Sequence, residues 1–283
     1  MTGVLAAMVV AHVPTLGRKE ITPDFQQTLV QGERALGEAV RRTLRPDLWV
    51  LVSAHWVATF DWLATAQPVH HGVCVADEAP NLIPGIPYKY RGDPAFAAAL
   101  VDALKAAEAP AAVNDSPHYN WDYGTFVPLS HLDPGAEVPV VGLPSVLMAD
   151  HAECLRAGAV VHATAKRLGR RAVFIASTAF AHALVRGRHN WPAPERMEAD
   201  RRFIEQLERG AIDEAIAGFG AYCRTSVVEM GGRPLATLLG VAKALQEEGK
   251  TLAGRRYGAY AQSSASGNAN VLLAEPATLA TLQ

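Results

Sequence analysis

The chain has 283 residues, 49% apolar and 19% charged, enough apolar mass for a large buried core and too little charge for disorder. Its formal net charge is −2 with no basic block, which argues against a nucleic-acid partner, since that needs a clustered positive surface. Cys74, Cys154 and Cys223 are odd in number and widely spaced, so they read as buried thiols in a reducing compartment rather than a metal pair or disulfide framework.

Val4 to Val10 is apolar, but no basic region precedes it and no small-residue cleavage site follows, so no signal peptide is expected. No run approaches the roughly 20 apolar residues of a membrane span. The expectation is a soluble cytoplasmic protein, one domain over residues 1–283, with no linker and no internal repeat.

Gly3 to Val10 reads as the first strand, ending in Ala11-His12-Val13-Pro14. Thr22-Pro23 is expected to open a helix, with Thr22 as N-cap and Pro23 at the first helical position. Phe25, Leu29, Leu36 and Val40 recur at helical spacing, and Pro46 closes that segment. Leu48 to Ser53 is a second strand, ending in Ala54-His55-Trp56. Phe60 to Ala66 reads as a further strand, drawn as antiparallel. Pro68 to Asp93 reads as a long irregular segment, a pocket wall, a lid or a surface excursion, carrying His70, His71, Tyr88, Tyr90 and Arg91.

Pro94 to Ala107 is an alanine-rich helix, and a short strand follows Pro110. The loop Asn114 to Gly124 holds His118, Tyr119, Trp121 and Tyr123. Phe126 to Leu132 reads as helix and Val138 to Val146 as strand. Asp150 and Glu153 form the pattern of a capping box for a helix ended by Gly169. Arg171 to Ser177 carries a fully apolar central strand, Ala172 to Ala176, that delivers His182. Pro194 to Ile216 is helical with an interruption near Gly210, and Val227 to Gly232 is a tight turn before a helix starting near Pro234. Tyr257 to Gln262 and Asn270 to Leu273 are the last strands. Strands alternating with helices predict an α/β sandwich, a central mixed sheet with helices on both faces.

His12 and His55 leave two strand ends, where an α/β sheet opens onto its binding crevice. Glu229 sits between an apolar pair and Gly231-Gly232, at a helix's N-terminal side, where the helix dipole favours a carboxylate. The three together would make the two-histidine, one-carboxylate set of non-haem Fe(II) oxygenases. A hydrogen-bonded core imidazole is the other reading of each histidine. His182 leaves the most buried strand and suits proton transfer near neutrality; a helix-cap or core histidine is its alternative.

The ordered set of motifs resembles the class III extradiol ring-cleavage dioxygenases of the catalytic-subunit-B type. The set comprises Ala-His12-Val-Pro, Ala-His55-Trp, Tyr88 to Pro94, Asp122 to Pro128, Ser177 to His182, the Glu229 turn, and Ser263 to Asn270. The resemblance runs from about Val4 to Pro276 and is nearest the 3,4-dihydroxyphenylacetate (homoprotocatechuate) 2,3-dioxygenase branch. It implies His12, His55 and Glu229 as ligands of Fe(II), and His182 as the acid–base that serves both proton transfers. It implies an aromatic diol and O2 as reactants, a 2-hydroxymuconic semialdehyde-type product and a homo-oligomer. Many members carry a histidine just before the loop glycine; here that position is Tyr123, which selects the branch.

His118, five residues before Tyr123, is a candidate for the same pocket, against a loop histidine facing water. Tyr119, Trp121 and Tyr123 are candidates to pack on the substrate ring or hydrogen-bond the diol. Arg186, with Arg91 and Arg188, is a candidate to hold a substrate carboxylate bidentately, though each alone also reads as a solvated charge. Two other enzymes fit the same residues. One is a 2-aminophenol-type dioxygenase of the same family; the other is a zinc hydrolase using the same His-His-Glu set.

Overall fold

The computed structural model describes residues 2–282. Strand β1 (Gly3–Val10) is an unbroken apolar run because it is covered on both sides. Its alternate side chains feed two separate cores: Val4, Ala7 and Val9 go to one face, Ala6, Met8 and Val10 to the other. A bulge between Val4 and Ala6 sets that phase.

The next helix is α1 (Gln27–Thr43), which starts later than Thr22-Pro23 predicts. A 3-10 turn, Asp24–Gln26, comes first. Thr22 does not cap it; its hydroxyl donates to the Thr15 and Arg18 carbonyls at 2.8 and 2.9 Å and closes the preceding loop. Strand β2 (Leu48–Ala58) runs five residues past the expected end at Ser53. Strand β3 (Trp62–Thr65) does not join the main sheet.

Pro68 to Asp93 is not irregular throughout. It contains an antiparallel ribbon of β4 (Val69–Cys74) and β5 (Ile86–Arg91). His70, His71 and Gly72 occupy positions where a strand usually shows apolar alternation, so the pattern was hidden. Pro87 is tolerated because the ribbon is only two strands wide.

Helix α2 (Pro94–Ala106) is capped by Asp93, whose carboxylate accepts the Phe96 N–H. Strand β6 (Ala111–Asn114) pairs with β3 in parallel, where antiparallel was expected. The whole of α2 intervenes between them, and a crossover of that kind gives parallel pairing. Helix α3 (Tyr123–Leu132) begins three residues earlier than predicted, because Asp122 is its cap.

Strand β7 (Val140–Val146) and helix α4 (His151–Arg167) follow. Asp150 caps α4 through the Glu153 N–H, but Glu153 does not complete a capping box; its carboxylate accepts the Trp62 indole N–H at 2.8 Å. Strand β8 (Arg171–Ser177) matches the predicted range. Then come α5 (Pro194–Glu208), α6 (Ile212–Ser226) and α7 (Arg233–Glu247), with left-handed Gly210 separating the first two. The chain closes with β9 (Ala253–Ser263), β10 (Ser266–Ala274) and α8 (Pro276–Thr281).

The main sheet has six strands in the order β7-β2-β8-β1-β10-β9. β7, β2, β8 and β1 are mutually parallel; β10 and β9 are antiparallel to their neighbours. Helices α2, α4, α5, α6 and α7 cover one face, and α1, α3 and α8 the other. This is the predicted α/β sandwich on a mixed sheet. Cys74, Cys154 and Cys223 are buried and unpaired. No helix among the described residues is long and apolar enough to cross a membrane.

Candidate metal centre

Two neighbouring parallel strands end together, with Val10 of β1 in register with Ser177 of β8. Ala11 leaves β1 with its N–H on Asn270 Oδ1 at 3.0 Å, and His12 follows at 4% exposure. The exit direction of His12 is thus set by a side chain on β10.

His55 is not past a strand end, as expected, but inside β2. The pairing with β7 jumps from Ser53–Pro144 to Val57–Ser145, so Ala54, His55 and Trp56 bulge out of the ladder. Ser53 Oγ organises the bulge. It accepts the His55 and Trp56 N–H groups at 3.0 and 3.3 Å and donates to Asp122 Oδ1 at 2.6 Å. Asp122 caps α3, so the first residue of that helix, Tyr123, abuts the bulge. Its hydroxyl lies 2.7 Å from His55 Nε2. A Cβ on Gly124 would fall 2.5 Å from Ser53 Oγ, so only glycine lets helix and bulge meet this closely.

Glu229 arrives from the other side of the sequence. Val228 forms an antiparallel bridge with Ala181, and the Glu229 N–H donates to the Phe180 carbonyl at 3.3 Å. Met230, Gly231 and Gly232 then all take positive φ, 49°, 63° and 84°, which turns the chain sharply into α7. A Cβ at Gly232 would come within 2.5 Å of Cys223 Sγ, so the turn tolerates no side chain there.

The Glu229 carboxylate divides its two oxygens. Oε2 accepts the Ala179 N–H at 2.6 Å and the Thr178 hydroxyl at 3.2 Å. Oε1 faces Nε2 of His12 at 3.4 Å, of His55 at 3.3 Å and of His182 at 3.2 Å. All three are longer than the about 2.7–2.9 Å of a charge-assisted bond. None of the three is a strong hydrogen bond, and the His12 and His55 nitrogens converge with Oε1 as ligand atoms would. Ligand atoms of His12, His55 and Glu229 lie within 4.8 Å of one another. Two imidazole nitrogens and one carboxylate oxygen, with no thiolate, suit a borderline divalent transition-metal ion.

The electrostatics agree. Burial alone would raise the Glu229 carboxyl, but His12, His55 and His182 outweigh it and hold it well below the usual range. Burial lowers His55, yet Glu229, Asp122 and Glu78 reverse that and leave it raised. His182 is lowered, first by burial and then by His12 and His55, against the pull of Glu229. Burial, with Glu78, Glu229 and Asp122 nearby, pushes the Tyr123 phenol up and keeps it protonated.

His182 is set by its backbone, whose N–H donates to the Val227 carbonyl at 3.1 Å. Buried Asp200 of α5 grips the same segment, accepting the Ala181 N–H at 2.9 Å and the Tyr260 and Tyr222 hydroxyls at 2.7 and 3.0 Å. His12, His55, Tyr123 and His182 open onto a cavity of 420 Å³, also lined by Glu78, Leu184, Arg188 and Asn268.

The other candidates lie elsewhere. His118 is exposed and lines neither this cavity nor its neighbour. Trp121 is buried, stacked on Tyr88 at 4.6 Å with 3° between the rings. It faces a separate 480 Å³ cavity with Tyr119, on the far side of His55 and Tyr123. Arg186 is exposed and does not line the 420 Å³ cavity; Arg188, two residues on, does. The Arg91 guanidinium is spent on the Glu137 carbonyl, and His70 on the Val140 carbonyl. Sequence reasoning missed Ser53, Asp122, Asp200 and Glu78. The Asp122-x-x-Thr125 cap was readable; the others carry no local signal.

Comparison with known proteins places the chain in a family. Residues 6–264 match the family described as the catalytic LigB subunit of aromatic ring-opening dioxygenase. A dioxygenase, tasH, of Hapsidospora irregularis is 32% identical over 126 residues, a stretch covering 42% of this chain and only 36% of that relative. The crystal structure of an uncharacterized protein of Escherichia coli K12, JW3007, superposes with a TM-score of 0.67 at 19% identity, over 95% of this chain and 99% of that one. That likeness establishes a shared fold. The family match spans most of the sequence, including the His12, His55, His182 and Glu229 positions, and the chain belongs to the LigB family of aromatic ring-opening dioxygenase catalytic subunits.

Proposed function

We propose that this chain catalyses extradiol cleavage of a catechol-type substrate with O2 at a non-haem Fe(II) centre. The observation that carries the reading is the convergence of His12, His55 and Glu229 beside a cavity, with His182 at its edge. When bound, Fe(II) supplies the redox chemistry between ring and dioxygen, and the protein supplies geometry and proton transfer.

His182 is the proton-transfer group. Its lowered proton affinity keeps it neutral near pH 7, so it is free to take a hydroxyl proton from the diol and return it later. Tyr123, protonated and 2.7 Å from His55 Nε2, is a hydrogen-bond donor towards the same space. The cavity's arginine, Arg188, is the group positioned to hold a substrate carboxylate, in place of Arg186. A carboxylated catechol such as 3,4-dihydroxyphenylacetate is therefore the substrate of choice.

The test is oxygen uptake by anaerobically Fe(II)-loaded protein with 3,4-dihydroxyphenylacetate, catechol and 2-aminophenol in parallel. Uptake with a yellow product, abolished in His12→Ala, supports the reading. Absence of uptake across a broad catechol panel, from protein shown to hold Fe(II), overturns it. Arg188→Ala should raise KM for the carboxylated catechol and leave plain catechol unchanged.

A further inference from the structure

We propose that Glu78 is a positioning residue of the metal centre, accepting the Nδ1–H of His55 so that Nε2 is left as the ligand nitrogen. The inference rests on reading His12, His55 and Glu229 as metal ligands.

A neutral imidazole has one N–H and one lone pair, and a ligating nitrogen must present the lone pair. His55 Nε2 faces Glu229 and the cavity, so the proton belongs on Nδ1. Glu78 Oε1 lies 3.2 Å from that Nδ1. A carboxylate on the outer nitrogen of a ligating histidine fixes its tautomer and ring orientation and makes it a better donor to the metal. Among the described residues His12 lacks such a partner: its Nδ1 is buried with no hydrogen bond, and its ring is held by packing edge-on to His55 at 4.9 Å. Of the two histidines, His55 is the more exposed and sits on a bulge, so it is the one that needs an outside tether.

Glu78 is held in place to do this. It lies between β4 and β5, on a turn closed by hydrogen bonds from Ala76 N–H to the Ile83 carbonyl and from Ala79 and Ile83 N–H to the Ala76 and Ala79 carbonyls. Ala76 and Ile83 are fully buried and root both ends of the turn. Glu78 and Tyr123 flank the same imidazole, Glu78 at Nδ1 and the Tyr123 hydroxyl at Nε2. Glu78, His55 and Tyr123 together form the wall shared by the two cavities.

The experiment is metal affinity in the full chain, without substrate, measured by chelator competition with Zn(II) and Co(II). His12→Ala is the control and should abolish stoichiometric binding. Glu78→Ala should weaken binding about tenfold, the lower end of what loss of an outer hydrogen-bond partner costs, because Glu78 is half exposed. Glu78→Gln should stay within about threefold of wild type, since its amide oxygen accepts the same N–H. Affinity in Glu78→Ala within about twofold of wild type, with binding still lost in His12→Ala, overturns the role of Glu78 and leaves the centre standing. Equal losses in the alanine and glutamine variants overturn the hydrogen-bond role as well. If wild-type protein binds neither ion, both the centre and this inference fall.

Discussion

Glu229 Oε2 accepts the backbone N–H of Ala179 at 2.6 Å, so the main chain just beyond β8 decides which way the carboxylate faces. The contact leaves Oε1 for the three imidazoles. Glutamine can keep the Ala179 bond through its amide oxygen while losing the charge. Glu229→Gln should therefore fold normally and lose metal, with affinity down by more than about 100-fold, beyond the cost of an outer partner. Metal content after dialysis, alongside far-UV circular dichroism, checks this; a stoichiometric metal in the variant would contradict it.

Tyr123 presents a protonated hydroxyl 2.7 Å from His55 Nε2. Phenylalanine keeps the ring packing and removes that group. We expect Tyr123→Phe to bind metal as wild type and to lose about tenfold in kcat, the rate equivalent of one hydrogen bond of about 1.4 kcal/mol. KM should change little. Steady-state kinetics on metal-quantified protein decide the point, and an unchanged kcat would reduce Tyr123 to packing.

Asp200 joins α5 to the His182 segment through Ala181, and to β9 and α6 through Tyr260 and Tyr222. Alanine would strand three buried or half-buried donors at about 1–3 kcal/mol each, less what water recovers. Asp200→Ala should lower the unfolding free energy by about 3 kcal/mol, read from urea denaturation with an unchanged m-value. A loss below about 1 kcal/mol would show that the network is not a structural clamp.

Glu33 on α1 is fully buried, and neither carboxylate oxygen has a hydrogen-bond partner among the described residues. Burial raises its proton affinity well above the usual range, against a small opposing effect of Arg34. The folded state therefore holds a proton that the unfolded chain releases at lower pH. Stability from this group is full below the unfolded value near about 4.3 and declines as pH rises towards the folded value, by up to about 1.4 kcal/mol per unit. Glutamine is a neutral isostere, so the advantage of Glu33→Gln over wild type should grow from pH 5 to pH 8. Paired denaturant titrations across that range test the sign; a flat difference would place an unnoticed partner at Glu33.

Strands β1 and β8, helices α2, α4 and α7, and the sandwich architecture were legible because their signals are local. Continuous apolar runs mark strands covered on both faces, and Asp, Pro and Gly punctuate the helix ends. The β4–β5 ribbon was not legible, since histidines and prolines fill a strand whose stability comes from what it packs on. The partner of β3 was invisible for a similar reason: pairing direction depends on where the intervening chain goes.

By itself the sequence determined the supply of chemistry: two histidines each following an apolar strand run, a glutamate in a glycine turn, and a third histidine beyond the central strand. Only the tertiary structure decided that they meet, because residues 12, 55, 182 and 229 are joined by strand register, a three-residue bulge and one antiparallel bridge, none of which has a local sequence signal. It also decided between near neighbours. Arg188 rather than Arg186 lines the cavity, and Glu78 rather than His118 reaches the site. Spacing along the chain cannot separate such residues, since a loop's direction in space is set by the elements it docks against.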